Sequence, residues 1–422
     1  MTDEIIREPL IKSDPIVFGI LMVVLALIFA TASSEKKIFK KFYRIIPALL
    51  LCYLIPSLLS TFGIISGHSE YSGLYGAVKN YMLPASLALL TLSIDLKAIV
   101  KLGPKSIIMF LTATFGIVLG GPLSVLLVSV ISPDLLGSGV NEPDALWKGL
   151  ATLAGSWIGG SANQTAMLEM FQYDKNLYGG MLTVDIVVAN IWMAFLLYGA
   201  ADPSKIDKWL KADSSAIEEL KLKVKTFTEK HRRIPSLTDV MKILGVAFGA
   251  VALSHVASDT IPDLISDIDI LKGSLLTSGF FWLVMGATTL GLLLSFTRFR
   301  ELEGAGASRI GSVFIYILVA VIGTKMDITK AFEEPGLILV GLLWMAIHVT
   351  LLFIVAKIIR APFFFLAVGS KANIGGAASA PIVASAFHPS LAPVGVLLAV
   401  LGYALGTYGA TICALMMQMA TP

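Results

Sequence analysis

Long apolar runs alternate with short polar segments along the chain. A helix needs roughly 20 apolar residues to cross the hydrocarbon core of a bilayer. Candidate crossings lie at residues 15–32, 45–65, 81–100, 107–131 and 177–198, and again at residues 240–257, 275–296, 310–324, 337–359 and 394–417. The pattern predicts an all-α polytopic membrane protein with about ten crossings.

Two further apolar regions, at residues 145–171 and 362–387, are interrupted by small polar residues. The first contains GSWIGGSANQ (155–164) and the second contains GSKANIGGAASA (369–380). Glycine weakens a helix, and a peptide group without a partner is costly in hydrocarbon, so such a break survives only inside protein or beside water. One patch alone would be explained by close helix packing. Two copies in corresponding places favour paired helix breaks with a solute bound between them.

The order of apolar and polar segments in the first half of the chain repeats in the second half. TLSIDLKAI, with Asp95, and GTKMDITKA, with Asp327, end corresponding runs. We therefore predict a first repeat at residues 1–200, a charged cytoplasmic linker at 201–237 and a second repeat at 238–422. Apolar residues of the linker have the spacing of an amphipathic surface helix, with a solvated connector as the alternative; they are Ile217, Leu220, Val224 and Phe227.

Loop charges indicate how the repeats lie in the membrane, because Lys and Arg are enriched in cytoplasmic loops. Basic segments lie at residues 34–44, 97–105, 298–309 and 357–360, and acidic segments lie at residues 134–144, 259–269 and 333–334. Corresponding loops of the two repeats have opposite charge, which predicts inverted repeats. If the glycine regions are re-entrant hairpins entering from opposite faces, the loops and the linker lie on the sides that their charges favour, with both chain termini outside. The alternative is twelve spans that include two broken helices.

Composition supports the membrane class and narrows the chemistry. The 422 residues are 56% hydrophobic and only 14% charged, with a mean hydropathy of +0.82. The net charge of +3 is distributed by loop, so we expect no nucleic-acid partner. Cys52 and Cys413 lie in apolar runs, and the sequence lacks HExxH, GxSxG and Walker motifs. We expect no enzymatic activity, no bound metal centre and no cofactor, with Na⁺ or H⁺ as a coupling ion.

The glycine motifs supply hydroxyl, amide and backbone N–H groups, and half-helix N-termini directed at the breaks would favour an anionic group. The candidate substrate-binding residues are Ser156, Gly159, Gly160, Ser161, Asn163 and Gln164 in the first motif, and Lys371, Asn373, Gly375, Gly376 and Ser379 in the second.

Charged residues within apolar regions are expensive and usually functional. Lys371 is a candidate for neutralising a substrate carboxylate, although it could instead face water or pair with a structural carboxylate. Asp185, with Asn190 following it, is the candidate for ion coupling. Asp95 and Asp327 lie near helix ends, where marking a boundary and binding an ion are both open.

The segments IGGSANQ and NIGG, with the run LPASLALLTLSIDLKAI, resemble a YjcL-like bacterial family of membrane proteins of unknown function. More distantly, the layout is similar to the cation/proton antiporter and anion transporter superfamily, which includes bile acid sodium symporters and 2-hydroxycarboxylate transporters. In the latter, paired glycine motifs occupy two hairpin tips, which implies that Gly159, Gly160, Gly375 and Gly376 lie beside the substrate.

The same resemblance implies an elevator-type mechanism, in which a core that holds both tips slides against a scaffold. By analogy the core would comprise residues 81–198 without their loops and residues 310–417. The sequence departs from sodium/proton antiporters, whose Asp-Asp or Asn-Asp pair is matched only loosely by Asp185 with Asn190.

These observations lead to one preferred function and several alternatives. We expect an ion-coupled symporter of a small polar, anionic organic solute, spanning a bacterial cytoplasmic membrane, with the lipid bilayer and a second copy bound through scaffold helices as partners. A sodium or proton antiporter is the first alternative. A channel and a non-transporting membrane protein are the others.

Overall fold

The computed structural model describes residues 9–46, 48–66, 73–212, 234–268, 275–325, 336–388 and 391–422. Within these ranges the chain is almost entirely helical, and its one β-type pairing is an isolated bridge between Ile11 and Ile65. The predicted amphipathic helix of the linker and the predicted repeat residue Asp327 lie outside the described residues.

The helices of the first half are α1 (Asp14–Ala32), α2 (Lys37–Ile45), α3 (Ala48–Thr61), α4 (Leu74–Ala77), α5 (Leu83–Leu92), α6 (Leu96–Val100), α7 (Pro104–Ile131), α8 (Leu146–Gly159), α9 (Ser161–Phe171) and α10 (Tyr178–Ala201). A π-helical turn, Val78–Met82, joins α4 to α5. The remaining helices are α11 (Ser204–Leu210), α12 (Leu237–Ile265), α13 (Gly279–Ser295), α14 (Ala307–Gly323), α15 (Gly336–Ile358), α16 (Phe363–Asn373), α17 (Gly376–Phe387) and α18 (Ala392–Ala420).

Six helices of the described chain are long and apolar enough to cross a membrane by themselves, and they are α1, α7, α10, α12, α15 and α18. Two further pairs of consecutive helices reach that length only when both members are counted. The first pair, Lys37–Tyr43 and Ala48–Thr61, bends by 84°, and the second pair, Gly279–Leu294 and Arg298–Ala305, bends by 96°. In each pair one short arm carries several charged residues, which favours an arm that lies along the membrane surface. The chain is therefore an all-α, multi-pass membrane protein, as predicted.

Both glycine regions fold back on themselves. In the first, which we call hairpin 1 (α8 and α9), the Trp147 and Phe171 rings at the two open ends lie 5.4 Å apart, and the Asp174 amide donates to the Pro143 carbonyl at 2.9 Å. In hairpin 2 (α16 and α17), the Phe363 ring at the start lies 5.8 Å from the Phe387 ring at the end. Each pair thus begins and ends on one side, as in a re-entrant hairpin and unlike a single broken crossing.

The two hairpins approach α7 from its opposite ends. The open end of hairpin 2 lies beside the start of α7, where Lys105 Nζ donates to the Arg360 carbonyl at 3.2 Å. Its tip reaches Thr114, whose hydroxyl donates to Asn373 Oδ1 at 2.8 Å. Hairpin 1 starts after the C-terminal end of α7. Its tip reaches the level of Thr114, because Ile158 of the tip and Thr114 both pack beside Gly409 of α18, within 4 Å of the position that a methyl group would take there. The tips therefore meet near the middle of α7.

The helices pack as two groups. The hairpin group comprises α7 to α10 and α15 to α18, and the outer group comprises α1, α3, α5 and α12 to α14. Gly291 of α13 lets α5 approach closely, since a methyl group there would overlap Thr91 and Ala88. Gly323 of α14 likewise packs against the Tyr53 backbone in α3. The resemblance placed α5 and α14 in the core, whereas the structure packs both helices within the outer group.

Loop residues brace the ends of these helices. Asp207 of α11 accepts a hydrogen bond from the Phe363 amide at 2.7 Å, so the start of the linker supplies the N-terminal cap of α16. Asp95 caps α6 through the Ala98 amide at 3.0 Å and pairs with Arg300 at 2.7 Å. Asp95 thus marks a helix end, one of the two roles left open by the sequence.

Candidate functional site

The tip of hairpin 1 depends on one glycine conformation. Gly160 has φ 78° and ψ −171°, values that L-residues with a side chain rarely adopt, so the chain can reverse between Gly159 and Ser161. Gly155 lets the two arms touch, because a methyl group there would lie 2.6 Å from the Asn163 carbonyl oxygen. In hairpin 2, Gly375 has φ 100° and performs the corresponding reversal.

Two buried asparagines fasten the tips to long helices of the hairpin group. Asn163 donates to the Gly159 and Tyr403 carbonyls at 3.1 and 3.0 Å and accepts from the Thr407 hydroxyl at 2.5 Å. Asn373 makes the same three kinds of bond, donating to the Gly369 and Phe110 carbonyls at 3.0 and 3.2 Å and accepting from the Thr114 hydroxyl at 2.8 Å. Both side chains are fully buried. Their hydrogen-bonding capacity is used within the protein, so they position the tips.

Replacing Asn163 or Asn373 by alanine is expected to lower the free energy of unfolding by about 3 kcal/mol, since three hydrogen bonds are lost and their partners stay buried. The apparent melting temperature of the purified protein in detergent measures the effect. Asn190→Ala is the matched control, because Asn190 is exposed and donates only to the Ile186 carbonyl of its own helix. Equal melting temperatures for all three variants would contradict this role.

Asp185 of α10 is held by the tip of hairpin 1. Its carboxylate accepts hydrogen bonds from the Ser156 hydroxyl at 2.7 Å, the Trp157 indole at 2.8 Å and the Gln164 amide at 3.3 Å. Three donors around one carboxylate stabilise its ionised form within a span, and an ionised carboxylate can bind a cation. The contact set joins Asp185 to Ser156 and Gln164, which the sequence assigned to separate ion-coupling and substrate-binding sets.

The tip of hairpin 2 reaches α10 one to two turns further along. Lys371 is 2% exposed and donates to the Ala189 carbonyl at 3.1 Å. Its neighbour Ser370 lies 2.9 Å from His348 Nε2 and accepts from the Trp192 indole at 2.8 Å. The Ala189 carbonyl lies four residues, about one helical turn, after Asp185, so Lys371 contacts the turn of α10 next to that of Asp185. Helix α10 therefore brings Asp185, predicted for ion coupling, and Lys371, predicted for substrate binding, into a single region.

Both second arms begin at this region without a side-chain cap. Helices α9 and α17 start at the tips, and neither Gly160 nor Gly375 can supply a capping group. The buried oxygens Gln164 Oε1 and Ser379 Oγ also have no hydrogen-bond partner among the residues that the structure describes. Helix N-termini attract negative charge, and an unpaired buried polar atom calls for a partner. The helix N-termini can therefore accept a small anion, and the two oxygens can accept a hydrogen-bond donor or a cation beside it.

The structure brings most predicted site residues together and leaves one out. Gly159 and Gly376 are buried at the tips, whereas Ser161 and Gly375 are partly or fully exposed there. Asn190 faces away from the tips and does not join the site. Several contributors were absent from the prediction, and they are Thr114, Trp157, Trp192, His348, Tyr403 and Thr407.

Comparison with known proteins gives a family and no activity. The family model described as a protein of unknown function, DUF819, matches residues 19–420. The chain is also similar to the uncharacterized membrane protein YjcL of Bacillus subtilis (strain 168), with 27% identity over 349 residues that make up 81% of this chain and 83% of the relative. The family model, at residues 19–420, covers both hairpins and α10. The chain therefore belongs to the DUF819 family of proteins of unknown function, and it is a multi-pass membrane protein of that family.

Proposed function

We propose that this protein is an ion-coupled secondary transporter of a small anionic organic solute in the cytoplasmic membrane. The observation that carries the proposal is the convergence of two opposed hairpin tips on α10, where Ser156 binds Asp185 and Lys371 binds the Ala189 carbonyl about one turn further along. Irregular backbone at membrane depth is typical of transporter sites. The uncapped helix starts and Lys371 would hold the solute's negative group, and Asp185 would bind the coupling Na⁺ or H⁺.

The packing supports alternating access by relative movement of two groups of helices. Helix order in the first half, three outer segments followed by a long helix, a hairpin and a final helix, recurs in the second half. Contacts of α5 with α13 and of α3 with α14 are the pairs expected if the halves are inverted repeats. In this proposal the hairpin group, which carries the site, moves against the outer group.

The test begins with a ligand screen and ends with transport. Purified protein is screened by thermal shift against organic acids, amino acids and small peptides with sodium varied, because a ligand that binds the folded state raises its apparent stability. Solutes that bind are then tested in proteoliposomes. We expect saturable accumulation above the external concentration when a Na⁺ or H⁺ gradient is imposed, and its loss when an ionophore dissipates the gradient. Unsaturable ion currents would support a channel instead. The absence of both accumulation and currents would overturn the proposal.

Cation exchange without a solute is the second candidate. It is favoured by the three donors that hold the Asp185 carboxylate at the tip of hairpin 1, because a carboxylate fixed within a span can bind a cation. In proteoliposomes loaded with a pH-sensitive dye, an exchanger would move protons on addition of Na⁺ alone. A symporter would require the organic anion as well.

A further inference from the structure

A second polar cluster lies at the open end of hairpin 1, away from the tips. Glu169 of α9 is fully buried, and its carboxylate lies 3.0 Å from Lys79 Nζ and 3.6 Å from Lys175 Nζ. The Tyr75 hydroxyl donates to the same carboxylate. Lys79 lies in the π-helical turn between α4 and α5, and such turns occur frequently at functional sites.

Among the described residues of this cluster, positive charge exceeds negative charge. Lys79 and Lys175 share one carboxylate, and within the described ranges neither lies within 4.0 Å of another acidic group. Asp174, the nearest acid along the chain, instead accepts from the Asn176 amide at 2.9 Å. One negative charge therefore serves two ammonium groups.

Aromatic rings hold these ammonium groups in place without neutralising them. Lys79 Nζ lies 4.4 Å from the centre of the Phe280 ring, and Lys175 Nζ lies 5.0 Å from the centre of the Tyr75 ring. The nitrogen of a third lysine, Lys325, lies 4.9 Å from the same Tyr75 ring. The Lys79 and Lys175 side chains are 19% and 23% exposed, so a small solute can reach them.

The cluster joins the two groups of helices. Glu169 and Lys175 belong to hairpin 1 and the segment after it, whereas Tyr75 and Lys79 lie on the segment that leads into α5 of the outer group. Breaking the contacts of Glu169 would remove an ionic tie between hairpin 1 and the outer group.

We propose that Lys79 and Lys175 form an anion-binding site at the mouth of hairpin 1, in which the carboxylate of an arriving organic anion replaces Glu169. The identity of the ligand as a carboxylate solute rests on the proposed function. Occupation of this mouth site releases hairpin 1 from Lys79 and Tyr75. Binding of the anion at the mouth site thus permits hairpin 1 to move relative to the outer group.

Binding of succinate to the purified full chain, measured calorimetrically at constant ionic strength, tests the mouth site. Glu169→Gln removes the competing charge with little change of shape, and we expect about tenfold tighter succinate binding, whereas Lys79→Gln and Lys175→Gln should weaken it about tenfold. Lys242→Gln, at an exposed position of α12, is the control and should have no effect. Unchanged or weaker binding in Glu169→Gln, with the protein still folded, would show a purely structural ion pair and overturn the proposal. If that variant does not fold, unchanged binding in Lys175→Gln overturns it equally.

Two further measurements distinguish the mouth site from the transport site and from a lipid-binding site. Lys371→Met should abolish uptake while leaving the effect of Glu169→Gln on mouth-site binding intact, so the mouth site and the transport site fail independently. Succinate binding is also measured in nanodiscs of phosphatidylcholine with and without phosphatidylglycerol. Equal affinities support a site for a soluble anion, and complete loss of binding with phosphatidylglycerol would assign the lysines to a lipid headgroup and overturn the proposal.

Discussion

Asp185→Asn is expected to reduce gradient-driven uptake by about 100-fold, because removing a charge that three donors hold within a span costs several kcal/mol and every 1.4 kcal/mol is tenfold. Asparagine has the size of aspartate, so the fold around it is kept. However, its NH₂ group faces one of the three donors Ser156, Trp157 and Gln164, and it carries no charge for Na⁺ or H⁺. Initial uptake rates in proteoliposomes, with the solute gradient and the ion gradient varied separately, measure the effect.

The same helix provides the control for this prediction. Asn190→Ala removes a polar side chain from an exposed face of α10 and should leave uptake within about twofold of the wild type, since surface substitutions rarely exceed about 0.5 kcal/mol. An Asp185→Asn variant with unchanged ion dependence would exclude Asp185 from coupling.

Lys371→Met is expected to weaken binding of the anionic solute by about 100-fold while leaving the melting temperature equal or higher. Methionine fills the space of the lysine stem, and removing a buried ammonium relieves the cost of burying its charge. The lost attraction to the solute's carboxylate is not replaced, so affinity and stability should change in different directions. Thermal shift without ligand and ligand titration of the same sample give both quantities.

A lysine outside the site controls for the general effect of charge. Lys357 is exposed at the end of α15, where it lies over the Trp209 ring at 3.9 Å. Lys357→Met should therefore leave solute affinity unchanged. If Lys371→Met instead lowers stability and keeps the affinity, Lys371 is a structural partner of Asp185 and not a substrate ligand.

Helix geometry explains which site residues could be predicted. The glycine motifs and loop charges predicted the two hairpins, because the cost of exposed backbone in hydrocarbon leaves few alternatives. Successive residues of a helix are 100° apart, so Asn190 lies about 140° around α10 from Asp185. Trp192 lies seven residues from Asp185, on its face, and the helical period could have indicated it in place of Asn190.

Partners on distant helices could not be read from the sequence. The Thr407 hydroxyl that binds Asn163 and the Thr114 hydroxyl that binds Asn373 lie more than 240 residues away from them. Nothing local distinguishes these threonines from others that bond their own helix, such as Thr112. The resemblance implies that α5 and α14 belong to the core, whereas close packing at Gly291 and Gly323 places them with the outer group.

The central claim is that both hairpin tips line one site for one solute, and cysteine labelling tests it most directly. In a variant whose buried Cys52 and Cys413 are replaced by alanine, Ser161→Cys and Ala377→Cys place single thiols at equivalent, partly exposed positions of the two tips. The rate of labelling by a membrane-impermeant maleimide is measured with and without the transported solute. We expect saturating solute to slow labelling of both thiols, with the same half-maximal concentration for each. Protection of only one tip, or of neither while uptake persists, would contradict a shared site.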